Sequence, residues 1–183
     1  MVNKKSISYV EEAVKNNKSL RGANLSDANL RGVDLRGVDL RDADLRCADL
    51  RCADLSNTDL HYAKLSYANL SNTNLSYANL NGADLRCADL RRADLRGVDL
   101  GDANLSGVDL RGAIYGKGII IGDKVIQISG LRWPILIFKD HIKIGCQFQS
   151  REKWKTFSDE DITKMDKESL EDWKKYKEII LSF

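Results

Sequence analysis

The 183-residue chain has one proline, two histidines and two methionines, and aromatic residues make up only 7% of it. Each scarcity excludes something. His61 and His141 leave little material for a nucleophile–base pair or an imidazole-rich metal site, and no HExxH, GxSxG or phosphate-loop pattern is present. The N-terminal "MVNKKSISYVEEAVKNNKS" contains no long apolar run, which argues against a signal peptide or a membrane span and leads us to expect a cytoplasmic protein. Charge of one sign is missing too. The net charge of +2 is a mosaic: residues 1–18 carry four basic against two acidic side chains, residues 19–113 twelve against fourteen, and residues 114–183 thirteen against eleven. No segment has the basic surplus that a counterion-release partner such as duplex DNA requires, so direct nucleic-acid binding is not expected. The four cysteines, Cys47, Cys52, Cys87 and Cys146, form no CxxC pair and read as reduced thiols. The densest chemical group, Asp140, His141 and Cys146, is accounted for by a turn residue, a strand residue near the surface and a small buried apolar group. We therefore expect no enzyme, no cofactor and no metal.

What the chain has in abundance is leucine at a fixed interval. Every multiple of five from Leu20 to Leu110 is Leu, nineteen in succession. Five residues advance an α-helix by about 500°, which smears leucine around the cylinder, and an odd repeat on a flat strand sends successive leucines to opposite faces. A chain that turns a corner once per repeat instead returns every leucine to a common axis, and stacked coils then bury a continuous column. Two residues before each Leu stands a small or β-branched residue, mostly Ala, with Val33, Val38, Val98, Val108, Thr58 and Thr73 as the variants, and this position also points inward. The Asp or Asn that nearly always precedes Leu, and the two residues that follow Leu, read as outward.

This A(D/N)LXX pattern closely resembles the pentapeptide-repeat proteins. The resemblance implies an all-β solenoid, a right-handed quadrilateral β-helix with four pentapeptides per coil, here four to five coils over residues 19–113. Residues 1–18 read as a short amphipathic helix, with Ile7, Val10, Ala13 and Val14 on one side and Glu11, Glu12 and Lys15 on the other, serving as the N-terminal cap of the coil. Residues 114–183 lose the repeat. The runs "GIIIGDKVIQISG" and "WPILIFKDHIKIGCQFQ" predict about four short antiparallel strands joined at Gly-Asp and Lys-Asp turns, with Pro134 at a strand start or edge. The segment "FSDEDITKMDKESLEDWKKYKEIILSF" turns helical, with Ser158 and Asp161 as a capping box and Leu170, Trp173, Tyr176 and Ile180 as a stripe at helical spacing. Together they make a small α+β C-terminal module. Through "DHIKIGCQ" and the spaced Trp154, Phe157, Ile162, Met165 and Trp173, this module loosely resembles uncharacterised phage and prophage proteins.

Two features of the repeats bear on function. Arg follows Asp-Leu in repeat after repeat, as at Asp44 and Arg46, Asp49 and Arg51, Asp89 and Arg91, and Asp94 and Arg96, which reads as a self-neutralising, solvated ladder. Between Asp59 and Asp84 the charge disappears except for Lys64, and Tyr62, Tyr67 and Tyr77 stand there with Asn57 and Asn72 and a run of serines. Tyr and Asn give contact area and hydrogen bonds without the desolvation cost of charge, so this coil is the candidate partner-binding belt. The expected function is that of a non-catalytic interaction protein, its rigid rod and α+β tail binding an unidentified protein partner, with no membrane involved. An alternative comes from the resemblance: some pentapeptide-repeat proteins mimic DNA and modulate topoisomerases or other DNA-binding enzymes, and the outward carboxylates Asp39, Asp59 and Asp99 on one side are the face that would do so here. A further alternative is a phage-encoded host-modulating or ligand-binding factor with the tail as its active part. The stripe of Leu170, Trp173, Tyr176 and Ile180 serves either packing or a homodimer interface.

Overall fold

The structure, a computed structural model, describes residues 4–16, 18–116, 119–121, 126–128, 135–145, 147–165 and 170–182. The chain divides into two compact units, Met1–Lys124 and Val125–Phe183. The expected turn at Gly122–Asp123, Pro134, Cys146 and Phe183 lie outside the described residues.

In the first unit the five-residue step builds coils of twenty residues. Parallel bridges join each residue before Leu to the one twenty positions on, as in Asn24↔Asp44, Asp44↔Lys64 and Lys64↔Asp84. Each repeat turns one corner through a bond such as Ala28 N–H to the Leu25 carbonyl at 3.1 Å, and the third residue of that turn has positive φ. This is the pattern of a type II turn. Four such corners close a coil. The backbone between corners pairs with the next coil, as in Leu25 N–H to Asp44 O at 2.7 Å, Asp27 N–H to Arg46 O at 2.8 Å and Asp44 N–H to Ala23 O at 2.9 Å. The leucines from Leu20 to Leu110 are all buried, as the column requires, and so are most of the small residues two positions before them. Where that small residue is Thr its hydroxyl is satisfied inside: Thr58 Oγ1 donates to Leu35 O and Thr73 Oγ1 to Leu50 O, each at 2.8 Å.

Helix α1 (Lys4–Lys15) buries Val10 and Ala13 and exposes Glu11, Glu12 and Lys15, and Glu11, Val14 and Lys15 border a cleft with Arg31–Asp34 of the first coil. The side chain of Ile7 is outside the described residues. At the other end the coil runs past the expected boundary at Ala113. Strand β1 (Asp94–Leu95) pairs in parallel with β2 (Ile114–Tyr115), so Ile114 and Tyr115 keep the Asp-Leu places of the repeat and Tyr115 fills the leucine column. Strand β3 (Ile119–Ile120) then returns antiparallel to β2 and pairs with its outer edge. An edge of unpaired N–H and C=O groups is a template for stray pairing, and β3 occupies it.

The second unit is a four-stranded antiparallel sheet, β4 (Ile126–Ile128), β5 (Ile135–Ile137), β6 (His141–Ile144) and β7 (Gln147–Ser150), in sequential order. Lys139 and Asp140 form the two-residue turn between β5 and β6, closed by Phe138 N–H to His141 O at 2.8 Å. Helices α2 (Arg151–Lys155), α3 (Asp159–Met165) and α4 (Leu170–Ser182) follow. Alternate residues of two strands, Ile135, Ile137, Ile142 and Ile144, make one core with Trp154, Ile162, Trp173 and Ile180. Trp154 Nε1 donates to Ile142 O at 2.8 Å. The capping box forms: Asp161 N–H donates to Ser158 Oγ at 3.2 Å and Ser158 N–H to Asp161 Oδ2 at 2.9 Å.

Candidate functional site

The twenty-residue coil sorts outward side chains into four faces, each a file of residues twenty apart. Face 1 carries Asp39, Asp59, Asn79 and Asp99; face 2 carries Asp44, Lys64 and Asp84; face 3 carries Asp49, Asn69, Asp89 and Asp109; face 4 carries Asp34, Asp54, Asn74 and Asp94. These residues do more than face solvent. In nearly every repeat the Oδ1 of the Asp or Asn accepts the backbone N–H two residues on, as in Ser26 N–H to Asn24 Oδ1 at 3.2 Å and Ser56 N–H to Asp54 Oδ1 at 3.0 Å. That is an Asx turn, and it explains why the repeat places Asp or Asn there in every case but Ser19 and Lys64. Where the following residue is Arg, its guanidinium forks onto the same carboxylate, as Arg36 onto Asp34 through Nε at 2.8 Å and Nη2 at 2.6 Å. Eight such pairs form, at Asp34, Asp39, Asp44, Asp49, Asp84, Asp89, Asp94 and Asp109, and in each the Arg fork holds the carboxyl below its ordinary range.

The second residue after Leu occupies the left-handed corner of every turn, where Gly, Asn and Asp are at ease. Tyr62, Tyr67 and Tyr77 occupy it at φ 56°, 61° and 60°. A bulky residue in this region costs about 1 kcal/mol or more. The tyrosines are exposed, at 58%, 66% and 69%, but do not stand free of the rod. A Cβ built on Gly82 would come within 2.3 Å of the Tyr62 ring, and one on Gly97 within 2.5 Å of the Tyr77 ring, so each ring lies across the glycine corner of the next coil.

Because every repeat turns a corner, the belt runs around the coil rather than along one face. Tyr62 stands at the corner between faces 1 and 2, Tyr67 between faces 2 and 3, and Tyr77 with Asn57 between faces 4 and 1; Asn72 is diagonally opposite Tyr62, and Lys64 lies on face 2 between Asp44 and Asp84. No flat partner meets all six. What the structure brings together is different: Tyr62 and Tyr77 flank face 1, the face that holds Asp39, Asp59 and Asp99. The two separately expected sites share one surface. On it Asp39 is forked by Arg41 and accepts Ser19 Oγ at 2.9 Å, Asp59 accepts Asn79 Nδ2 at 3.1 Å, and Asp99 accepts Gly101 N–H at 2.9 Å. His61 packs on Tyr62 with ring centroids 4.0 Å apart, and its buried Nδ1 has no hydrogen-bond partner among the described residues. Counting corners with the face that precedes them, face 1 holds Asp39, Asp42, Asp59, Asp99 and Asp102 against Arg21 and Arg41, a net −3.

Trp173 and Ile180 are core residues of the second unit, and Leu170 and Tyr176 pack against that core, so the stripe is used in packing. His141 stacks on Phe148 with centroids 5.2 Å apart, and the Asp140 carbonyl accepts Arg151 N–H at 3.0 Å. Cys47, Cys52 and Cys87 are free and exposed. Among the described residues no three His, Cys, Asp or Glu side chains converge as a metal ion requires, and no helix is long and apolar enough to cross a membrane.

The family model for pentapeptide repeats, in eight copies, matches residues 19–57, 53–91 and 74–112, just over half of the chain. The chain belongs to the pentapeptide-repeat family. Members of this family have known structures of the right-handed quadrilateral β-helix type. The chain is similar to HetL, a pentapeptide-repeat protein involved in heterocyst differentiation regulation in Nostoc sp. strain PCC 7120, with 36% identity over 56% of this chain and 53% of that one, at a TM-score of 0.45. A second similar structure is the pentapeptide-repeat protein AT2G44920 of the Arabidopsis thaliana thylakoid lumen, at 28% identity over 60% and 72% and a TM-score of 0.45. A third is QnrB1, a plasmid-mediated fluoroquinolone resistance protein, at 29% identity over 49% and 47% and a TM-score of 0.26. The chain thus spans about half the length of HetL. No curated protein sequence matches the chain. The family match ends at Gly112 and does not bear on the C-terminal module's resemblance to phage proteins.

Proposed function

We propose that this pentapeptide-repeat protein is a non-catalytic interaction protein whose right-handed coil, capped at its first turn by α1, presents face 1 to a protein partner carrying basic groups. Pentapeptide-repeat proteins are generally non-catalytic, and the rod's contribution is a rigid, flat, periodic surface. The observation that carries the reading is the convergence on face 1 of two strained, exposed tyrosines and an unbalanced set of carboxylates. Strain kept at a surface corner, where Gly or Asn would relieve it, points to a use for the side chain beyond folding. The α+β module supplies a second contact, and a homodimer through it would use surface other than the packed stripe of Leu170, Trp173, Tyr176 and Ile180.

The test uses the corner geometry. Asn is tolerated at the left-handed corner, so Tyr62→Asn with Tyr77→Asn should keep the fold and abolish partner recovery. Tyr67→Asn, on a corner that does not border face 1, should leave it intact. Equal loss in both would remove the face-1 assignment. The net −3 of face 1 favours a second reading, in which the surface mimics DNA toward a topoisomerase or another DNA-binding enzyme. Under it Asp59→Asn with Asp99→Asn should weaken binding most, added salt should weaken it further, and duplex DNA should compete. Retention by all these variants, with loss only on deleting residues 125–183, would assign the function to the tail.

A further inference from the structure

We propose that Asp99 on face 1 receives an arginine side chain of the partner, whose guanidinium docks as the chain's own arginines do at eight equivalent positions. The inference rests on the face-1 reading and deepens it by naming the group recognised. Eleven repeats have Asp before Leu, and in eight of them the residue after Leu is an Arg that forks onto the carboxylate. The exceptions are Asp54, Asp59 and Asp99, followed by Ser56, His61 and Gly101. Asp54 and Asp59 each accept an amide from the next coil, Asn74 Nδ2 and Asn79 Nδ2, both at 3.1 Å, and Asp59 Oδ2 lies 3.6 Å from Arg41 Nε. Asp99 differs from both. Among the described residues its carboxylate forms no ion pair and accepts one hydrogen bond, from Gly101 N–H to Oδ1 at 2.9 Å. That bond is the hold shared by the forked carboxylates: Asp89 Oδ1 accepts Arg91 N–H at 3.0 Å, and the same carboxylate takes Arg91 Nε on Oδ1 at 2.9 Å and Nη2 on Oδ2 at 2.6 Å. Asp99 is exposed and oriented by the same backbone bond, so it offers the same pair of oxygens to a guanidinium from outside the chain.

The surroundings favour that group. The two arginines of face 1 lie in its first two coils, where Arg21 pairs with Asp42 and Arg41 with Asp39. From Asp59 onward the face has Asp59, Asp99 and Asp102 and no Lys or Arg. Its net −3 therefore gathers in the later coils, where it draws a cation. Gly101 brings no side chain, and a Cβ built there would fall 2.4 Å from Asn81 Nδ2 and 3.2 Å from Asp99 Oδ1, so the Asn81 amide lies over this residue. The Tyr77 ring lies over Gly97, two residues before Asp99, as Gly101 is two residues after it. The buried Tyr115 hydroxyl, pushed up by burial and then by the Asp99 charge, stays protonated and adds no charge of its own. A planar guanidinium can fork the carboxylate, stack on the ring and donate to the amide oxygen at once. A lysine ammonium is a point charge and cannot make the fork.

The first step of the test needs no partner. The ¹⁵N-labelled full chain is titrated with N-acetylarginine amide and, at equal ionic strength, with N-acetyllysine amide, each to about 100 mM. The Gly101 amide signal is followed, because its N–H is bonded to the Asp99 carboxylate. The arginine compound should shift it saturably, with half-saturation on the order of tens of millimolar for one exposed fork and one stacked ring, and about threefold below that of the lysine compound. Asp99→Asn preserves the Asx turn and should lose the shift. Gly101→Arg supplies the guanidinium from within, as in the eight forked repeats, once the Asn81 amide turns aside. It should melt no lower than the parent, give no response to the arginine compound and fail to recover the partner. An equal response to both compounds, no saturable shift in the parent, an undiminished shift in Asp99→Asn, or parental recovery of the partner by Gly101→Arg would overturn the proposal. If it falls while Tyr62→Asn with Tyr77→Asn still abolishes recovery, face 1 remains the partner surface and only the arginine assignment is lost.

Discussion

The contact between Tyr62 and Gly82 can be weighed by one substitution. Gly82 stands at φ 67° with the Tyr62 ring lying over it, and a Cβ there would fall 2.3 Å from Cε1 and 2.4 Å from Cδ1. Gly82→Ala therefore carries two costs. Holding alanine in the left-handed region costs about 1 kcal/mol. The ring must also lift, and forfeiting about 40 Å² of apolar burial at about 25 cal/mol per Å² costs about 1 kcal/mol more. Gly22 supplies the control, because it has the same sign of φ, at 66°, and nothing within 4 Å of its built Cβ. Gly22→Ala should cost only the first term. In a Tyr62→Asn background Gly82→Ala should fall to that same value, giving a coupling of about 1 kcal/mol, or about 2 to 4 °C in Tm. Circular dichroism melts of the four cycle members and Gly22→Ala make the measurement. If Gly82→Ala costs no more than Gly22→Ala, or the cycle is additive within about 0.3 kcal/mol, the ring does not rest on the corner and the geometry of face 1 is wrong.

Two further outcomes follow from the coil. Leu65 is fully buried in the middle of the leucine column, and Leu65→Asp would leave an unpaired charge there at a cost of several kcal/mol, so the rod should unfold; an unchanged melt would show that the register is not inward. Acid should act through the eight Arg-forked carboxyls. Their folded pKa lies below the ordinary value of about 3.9, so the unfolded chain binds more protons in that range, and the stabilisation is complete well above pH 4 and lost as pH falls through the folded values. The urea midpoint should stay level from pH 7 to about 5 and fall below about 4. A midpoint that rises on acidification would contradict the sign.

The inward half of the repeat was legible because burial has a period. A leucine every five residues admits no helix or flat strand, and the column from Leu20 to Leu110 is buried as that reasoning requires. The outward half was read only in part. Asp or Asn before Leu looked merely solvent-facing, yet the strong preference for two residue types that share a side-chain carbonyl or carboxyl oxygen is the mark of an Asx turn. Gly, Asn and Asp recurring two residues after Leu likewise marked the left-handed corner. The rod's end was placed too early because residue identity changed while position did not: Tyr115 stands at a multiple of five and takes leucine's place. Helix α2 was not foreseen because five residues carry too little periodicity; its signal was Ser150, whose Oγ accepts Lys153 N–H at 3.1 Å, ahead of the buried Trp154.

The candidate site shows why a linear pattern and a surface differ in a solenoid. Tyr62, Tyr67 and Tyr77 are neighbours in sequence and equivalent in the repeat, but each five-residue step rotates the chain by one corner, so equivalence five apart scatters side chains while equivalence twenty apart gathers them. Read at twenty, the sequence already pairs Tyr62 with Gly82 and Tyr77 with Gly97, a bulky ring followed one coil later by the residue that makes room for it. It pairs Arg92 with Gly112 in the same way. Tyr67 is followed by Cys87 instead, and it is the one tyrosine of the three that does not border face 1. Glycine under a large corner side chain therefore singles out Tyr62 and Tyr77, which flank the face to which function is assigned here, and Arg92 at the corner diagonally opposite Tyr62.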